Sequence, residues 1–316
     1  MVYIKIEFSL GKEKKGDLKA KNEPRGWDWV SMQVDGAKAE GRYKTAANYL
    51  TAARSWSKYV ASSEWRFSEM DASKVEGYQR WLAQRGICQN TISAYMRALR
   101  AMCCRLTGDR LPFDRVFTGR AKTAKRSITE QEIQRLKALP LPEGSSLCLA
   151  RDLFIFSFHA MGMPFVDIAY LKKSQIRQGF IKYARHKTGQ PIRVAVLPQM
   201  RSIMERYDTP DSEYVFPILS ASTPDGLHKQ YACCLRRYNY SLHRLSKLAG
   251  FSRPLSSYVV RHSWASIAYQ HHVDIGLIGK ALGHTKTSTT LLYIKELFDV
   301  DLAEANQALM SKIGFS

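Results

Sequence analysis

Along the first third of the chain, apolar residues recur at helical intervals. One amphipathic segment spans Trp27 to Gly41, and a second opens at Thr45, where Ala46, Tyr49, Leu50, Ala53, Trp56 and Val60 follow the i, i+3, i+4, i+7 template. Asp71 is placed to cap a third helix, which carries Val75, Tyr78, Trp81 and Leu82 and is ended by Gly86. Asn90 is placed to cap a fourth, with Ile92, Tyr95, Met96, Leu99, Met102 and Cys103 on its inner side. Four helices with short connections predict a helical domain over residues 25–118.

The pattern then changes. Before the helices, Val2 to Phe8 alternates as a strand would, ahead of a lysine-rich stretch to Pro24, so residues 1–24 read as an N-terminal strand or basic arm. After them, DRVFTGRAKTAKRS reads as a linker, its basic part at 119–127, able to act as a flexible strap. A second domain covers 128–316. Thr129 and Glu132 form a capping-box pattern, Leu147 to Met161 is apolar nearly all round as a buried helix would be, and Pro164 suits the first turn of the next. GFIKYARHK and PIRVAVLP alternate around Thr188-Gly189, predicting a β-hairpin with Lys187 at its tip and Arg185 on the same face. Helices are expected again over Lys229–Ala249, Ser256–Gln270, Ile275–Leu282, Thr287–Tyr293 and Val300–Ile313. The fold expected is mainly α with a small β-hairpin sheet.

Composition narrows the partners. Forty-eight Lys and Arg against 28 Asp and Glu give a net charge of +20, which favours a polyanion. No apolar run is long enough to span a bilayer, and MVYIKIEFSLGKEKK lacks the continuous apolar core of a signal peptide, so no membrane role and a cytoplasmic location are expected. The six cysteines include no CxxC and read as reduced thiols, not as a metal site or a disulfide framework. In the first domain Arg42, Lys44, Thr45, Asn90, Thr91, Arg97 and Arg100 are candidates for DNA contact, and Arg120, Lys122, Lys125 and Arg126 extend the set through the linker.

Candidate chemistry concentrates near the C-terminus. SSYVVRHSWAS contains Arg261, LGH contains His284, and Tyr293 follows that histidine by nine residues. A tyrosyl oxygen can attack phosphorus, a guanidinium can hold two non-bridging oxygens, and an imidazole can accept or donate a proton. Such chemistry requires neither a metal nor a cofactor, and none is expected.

Taken together, GRYKTAANYLTAARSW, YQRWLAQRGICQNTISAYMRALRA, KTGQPIRVAVLP, YVVRHSWAS and LGHTKTSTTLLY resemble the tyrosine site-specific recombinases of the phage-integrase family, in the variety carried by mobile elements. The resemblance implies a helical core-binding (SAM-like) domain, an α+β catalytic domain, and metal-independent cleavage of double-stranded DNA through a 3′-phosphotyrosyl intermediate. It implies Tyr293 as nucleophile, Arg261 as ligand of the non-bridging oxygens, Lys187 as general acid, and His284 as stabiliser of the pentacoordinate phosphate or proton carrier. It also implies a homotetramer on two DNA sites, compatible with a monomer off DNA, at the bacterial nucleoid.

Two positions depart from that family's pattern. Pro164 stands where its first arginine is expected, and the residue before the glycine of that turn is Met161. The histidine expected three residues before Arg261 is Tyr258. Arg185, and after it Lys173, are the candidate substitutes for the missing cation. Two further readings stay open: a DNA-binding protein of this fold with weak or no catalysis, which the missing arginine motivates, and a type IB topoisomerase-like enzyme, which shares the chemistry.

Overall fold

The computed structural model describes residues 23–121, 127–284, 287–291, 306, 307 and 309–311. The chain divides into two compact units, Met1–Thr123 and Ala124–Ser316. The strand expected at Val2–Phe8, together with Lys122, Lys125, Arg126 and Tyr293, lies outside the described residues.

The first unit holds α1 (Gly26–Ala39), α2 (Tyr43–Val60), α3 (Ala72–Gln84) and α4 (Gln89–Thr107) around a core that buries Trp56, Phe67, Tyr78, Met96, Leu99 and Phe113. Asp71 caps α3 as expected, its carboxylate accepting from the Lys74 amide at 2.8 Å. Asn90 does not cap α4, whose N-cap is Cys88, two residues earlier. The Asn90 amide instead donates to the Ala121 carbonyl (3.1 Å) and accepts from the Ala121 N–H (2.9 Å). Ser93 Oγ donates to the Gly119 carbonyl at 2.6 Å, and the Phe117 N–H donates to Gln79 Oε1 at 2.7 Å. An irregular segment must place its backbone polar groups somewhere, and this one finds partners on α3 and α4. The stretch expected as a flexible strap is therefore fixed to the first unit as far as Ala121.

In the second unit, α5 (Glu130–Lys137) carries the complete capping box: Glu132 N–H donates to Thr129 Oγ1 (3.2 Å), and Thr129 N–H to Glu132 Oε2 (2.8 Å). The apolar α6 (Ser146–His159) buries Leu153, Phe154, Ile155 and Phe156 in a core shared with the sheet and later helices. It stops short of Met161 because Met161 and Gly162 both take left-handed φ values, 57° and 72°. Next come α7 (Phe165–Ala169), then β1 (Ile176–Arg177), β2 (Phe180–Ala184) and β3 (Pro191–Ala195), an antiparallel sheet in the order β1-β2-β3. Ile181 pairs with Val194 and Tyr183 with Ile192. This alternation puts those four side chains in the core.

The hairpin turn is longer than its sequence suggests. Strand pairing ends at Ala184, and Arg185 to Gln190 form a loop in which the Thr188 and Gly189 amides return to the Arg185 carbonyl (3.2 and 2.8 Å). Arg185 and Lys187 thus do not share a face: Arg185 turns inward and is 6% exposed, whereas Lys187 is exposed. Beyond the sheet lie α8 (Pro198–Arg206), which periodicity did not reveal, α9 (Pro224–Leu248), α10 (Val259–Gln270), α11 (Ile275–Leu282) and α12 (Thr287–Leu291). Among the described residues no helix is long and apolar enough to cross a membrane, and all six cysteines are free.

Candidate active site

Arg261 enters from the first turn of α10 and is almost fully buried, at 2% exposed. Its Nη1 donates to the Gly162 carbonyl at 3.1 Å, and its Nη2 donates to the Leu282 carbonyl. Arg185, arriving from the hairpin turn, donates from Nη1 to that same carbonyl at 2.8 Å. Glycine allows both approaches. A Cβ on Gly162 would lie 3.0 Å from Arg261 Cα, and one on Gly283 would lie 2.8 Å from Arg185 Cδ. Both glycines also have positive φ, 72° and 63°.

Asp167, on α7, steadies the second arginine. Its Oδ2 is 3.7 Å from Arg185 Nε, and its Oδ1 accepts from the His186 N–H at 2.9 Å. Burial pushes the Asp167 carboxyl above the usual carboxylate range, against the opposing pull of that N–H and of Arg185, His186 and Arg261. With two buried guanidiniums, one buried carboxylate and the exposed Lys187 nearby, the pocket carries excess positive charge. It suits an anion.

His284 follows Gly283, which ends α11 in the left-handed conformation. Its Nε2 lies 3.3 Å from Arg261 Nη2, and its Nδ1 lies 3.0 Å from Oγ1 of the fully buried Thr290. A guanidinium only donates, so Nε2 accepts and the proton sits on Nδ1, directed at Thr290. Burial pushes the His284 pKa down to about 4, with Arg261, Arg185 and Lys187 adding to the effect. The imidazole is therefore neutral near pH 7, with its accepting nitrogen beside Arg261. Thr290 was not singled out from sequence, although its place between His284 and Tyr293 was a signal.

The turn expected to carry an arginine offers no cation: Pro164 takes the N-cap position of α7, and Phe165 is buried behind it. Lys173 is excluded as a substitute, because its Nζ is held by Asp208 (2.7 Å) and the Thr209 carbonyl (2.6 Å). Tyr258 is 43% exposed, immediately precedes α10 and packs edge-on against His262, with centroids 5.2 Å apart.

On the first unit, Lys44, Arg97 and Arg120 are exposed and Thr45 and Thr91 are half-buried. Arg42 is paired with Glu40 at 2.6 Å, Arg97 Nε donates to the Ser93 carbonyl (3.3 Å), and Arg100 Nη1 approaches Thr118 Oγ1 (3.4 Å). Sequence reasoning missed a further basic stripe on α9. Arg236, Arg237, Tyr240, His243, Arg244 and Lys247 are all exposed at helical spacing, opposite the buried Tyr238, Leu242 and Leu245. Mapping the exposed positions of the expected helix would have revealed it.

Two buried guanidiniums converge on one carbonyl oxygen beside a neutral imidazole, with the exposed Lys187 nearby, an arrangement that suits an anion. The phage integrase family model matches residues 126–299, and the phage integrase SAM-like domain model matches 27–105. The chain belongs to the phage integrase family, the tyrosine recombinases, whose characteristic reaction is DNA cleavage and rejoining. It is similar to the tyrosine recombinase XerD of Shewanella oneidensis, 20% identical over 79% of this chain and 85% of that protein. It also resembles XerA of Pyrococcus furiosus, 26% identical over 55% of this chain and 58% of that one. Its fold is similar to that of a chain in the lambda integrase tetramer bound to a Holliday junction (TM-score 0.66, 12% identity, 89% of this chain and 81% of that one).

Proposed function

We propose that this protein is a site-specific DNA recombinase that cuts and rejoins double-stranded DNA through a 3′-phosphotyrosyl link to Tyr293. The observation that carries the reading is the convergence of Arg185 and Arg261 on the Leu282 carbonyl, beside the Nε2 of His284. That oxygen stands in for a non-bridging phosphate oxygen as a shared target of both forks. Arg185 then supplies the second cation that Pro164 cannot, and Asp167 holds it.

The step balances without cofactor. The Tyr293 oxygen bonds to phosphorus while its proton passes to water, the P–O5′ bond breaks, and the leaving oxygen takes a proton from Lys187, with the neutral His284 Nε2 holding Arg261 in place. Rejoining reverses each transfer with a 5′-hydroxyl from another duplex. The basic residues of α4 and the α9 stripe would track phosphates, and two duplexes would be held by a tetramer in the bacterial cytoplasm, at the nucleoid.

A duplex nicked opposite the scissile phosphate, so that the cleaved strand diffuses away, tests the reading. The wild-type protein should give a denaturant-resistant DNA adduct and Tyr293→Phe none. An identical absence in both would leave a DNA-binding protein, and relaxation of supercoils at any sequence would indicate a topoisomerase.

A further inference from the structure

Among the described residues Lys187 makes no hydrogen bond or ion pair, although its charge is felt at His284. Its neighbour is held twice. The His186 N–H donates to Asp167 Oδ1 at 2.9 Å, and the His186 ring stacks on Tyr170 with centroids 5.2 Å apart and planes 8° from parallel. Tyr170 ends α7 and is backed by Tyr231 (5.9 Å), which faces Phe165 (6.0 Å), itself stacked on Tyr238 (4.4 Å). An aromatic row thus runs from α9 to the residue before Lys187. The carboxylate that grips His186 is also the one beside Arg185 Nε.

Resting on the strand-cleavage reading above, we propose that Tyr170 and His186 are positioning residues for Lys187. The Asp167 hydrogen bond and the ring stack fix residue 186 from two sides, so the Lys187 backbone is placed while its ammonium stays free to reach the leaving oxygen. One carboxylate would thereby set the relative positions of the phosphate cation and the acid. A shift of about 1 Å in a reacting group can cost on the order of 100-fold in rate.

The test replaces the 5′-bridging oxygen of the scissile phosphate with sulfur. The tyrosyl O–P bond still forms and the P–S bond breaks, but the electron pair leaves on a thiolate, which needs no proton because thiol pKa values lie near about 8.5. A defect confined to proton delivery disappears on this substrate, whereas a general structural defect persists. His186 is exposed, so His186→Ala does not open the core; Tyr170→Phe and His186→Phe keep a ring in the stack. His186→Ala should slow adduct formation on ordinary DNA about 10- to 100-fold and come within about threefold of wild type on the sulfur substrate, with both ring-preserving variants near wild type on each. His186→Ala at the wild-type rate on ordinary DNA would overturn the proposal. So would an equal deficit on both substrates while Lys187→Ala is restored by sulfur. A Lys187→Ala deficit that sulfur leaves in place would remove the acid role and this inference with it, and a wild type that forms no adduct on either substrate would remove the cleavage reading itself.

Discussion

Arg185 and Arg261 come from different elements, a hairpin turn and the first turn of α10, and both donate to the carbonyl oxygen of Leu282. Two buried cations brought together repel each other, and their arrangement persists because Asp167, Gly162 and Leu282 supply the compensating carboxylate and carbonyls. An oxygen carrying more negative charge than a carbonyl would be held more strongly.

If Arg185 stabilises the transition state, Arg185→Ala should lower the rate of adduct formation by about 10² to 10³, close to 3 to 4 kcal/mol. DNA affinity should change far less. Single-turnover cleavage set beside equilibrium binding separates the two, and Arg185→Lys should recover part of the rate, since its point charge cannot reproduce the fork.

His284 should remain neutral well into acid. With its pKa lowered to about 4, NMR titration of its ring protons should show no more than about a tenth of the ring protonated at pH 5. The unfolded chain binds a proton near pH 6.5, so between about 6.5 and 4 the unfolded state holds more protons than the folded state. Stability at this site is therefore lost as pH falls through that window. Thr290→Val removes the acceptor of the Nδ1 proton and should raise the fraction of the wrong tautomer, slowing cleavage; Thr290→Ser should behave like wild type.

Gly162→Ala would set a Cβ 3.0 Å from Arg261 Cα at φ +72°. The clash is with backbone, which cannot swing aside, and the φ value adds strain. Thermal unfolding should show a loss of about 1 to 3 kcal/mol, with cleavage slowed because Arg261 shifts.

Asp152 provides a contrast away from the site. Its buried carboxylate meets Arg151 Nε (2.9 Å), Arg206 Nη1 (2.7 Å) and the Tyr207 hydroxyl (2.8 Å), joining α6 to α8. Asp152→Ala leaves the largely buried Arg151 with its bond to the Leu139 carbonyl (2.8 Å) but without the Asp152 counter-charge, and should cost about 3 to 5 kcal/mol in urea unfolding. Cleavage by the folded fraction should be unaffected.

Signals local to a few residues were legible in the sequence. The Asp71 cap, the Thr129–Glu132 box and the β2–β3 alternation all form as read, because each depends on neighbours within a few positions. Signals that depend on tertiary partners were not. Asn90 has the chemistry of a helix cap, but Ala121 claims its amide. Two-residue β1 is too short to show a period, and α8 is too short to stand out from its flanks. Arg185 was singled out for its closeness to Lys187, yet what brings it to the site is the end of strand pairing at Ala184, which turns the two side chains apart.

Whether Arg185 balances phosphate charge in place of an arginine at position 164 is tested by cleavage, by Arg185→Ala, of DNA with a methylphosphonate at the scissile position. That substitution removes the negative charge the arginine would face. The variant, about 10² to 10³ slower than wild type on the phosphodiester, should come within about tenfold of wild type on the neutral substrate. An equal deficit on both substrates, or none on the phosphodiester, would contradict that role.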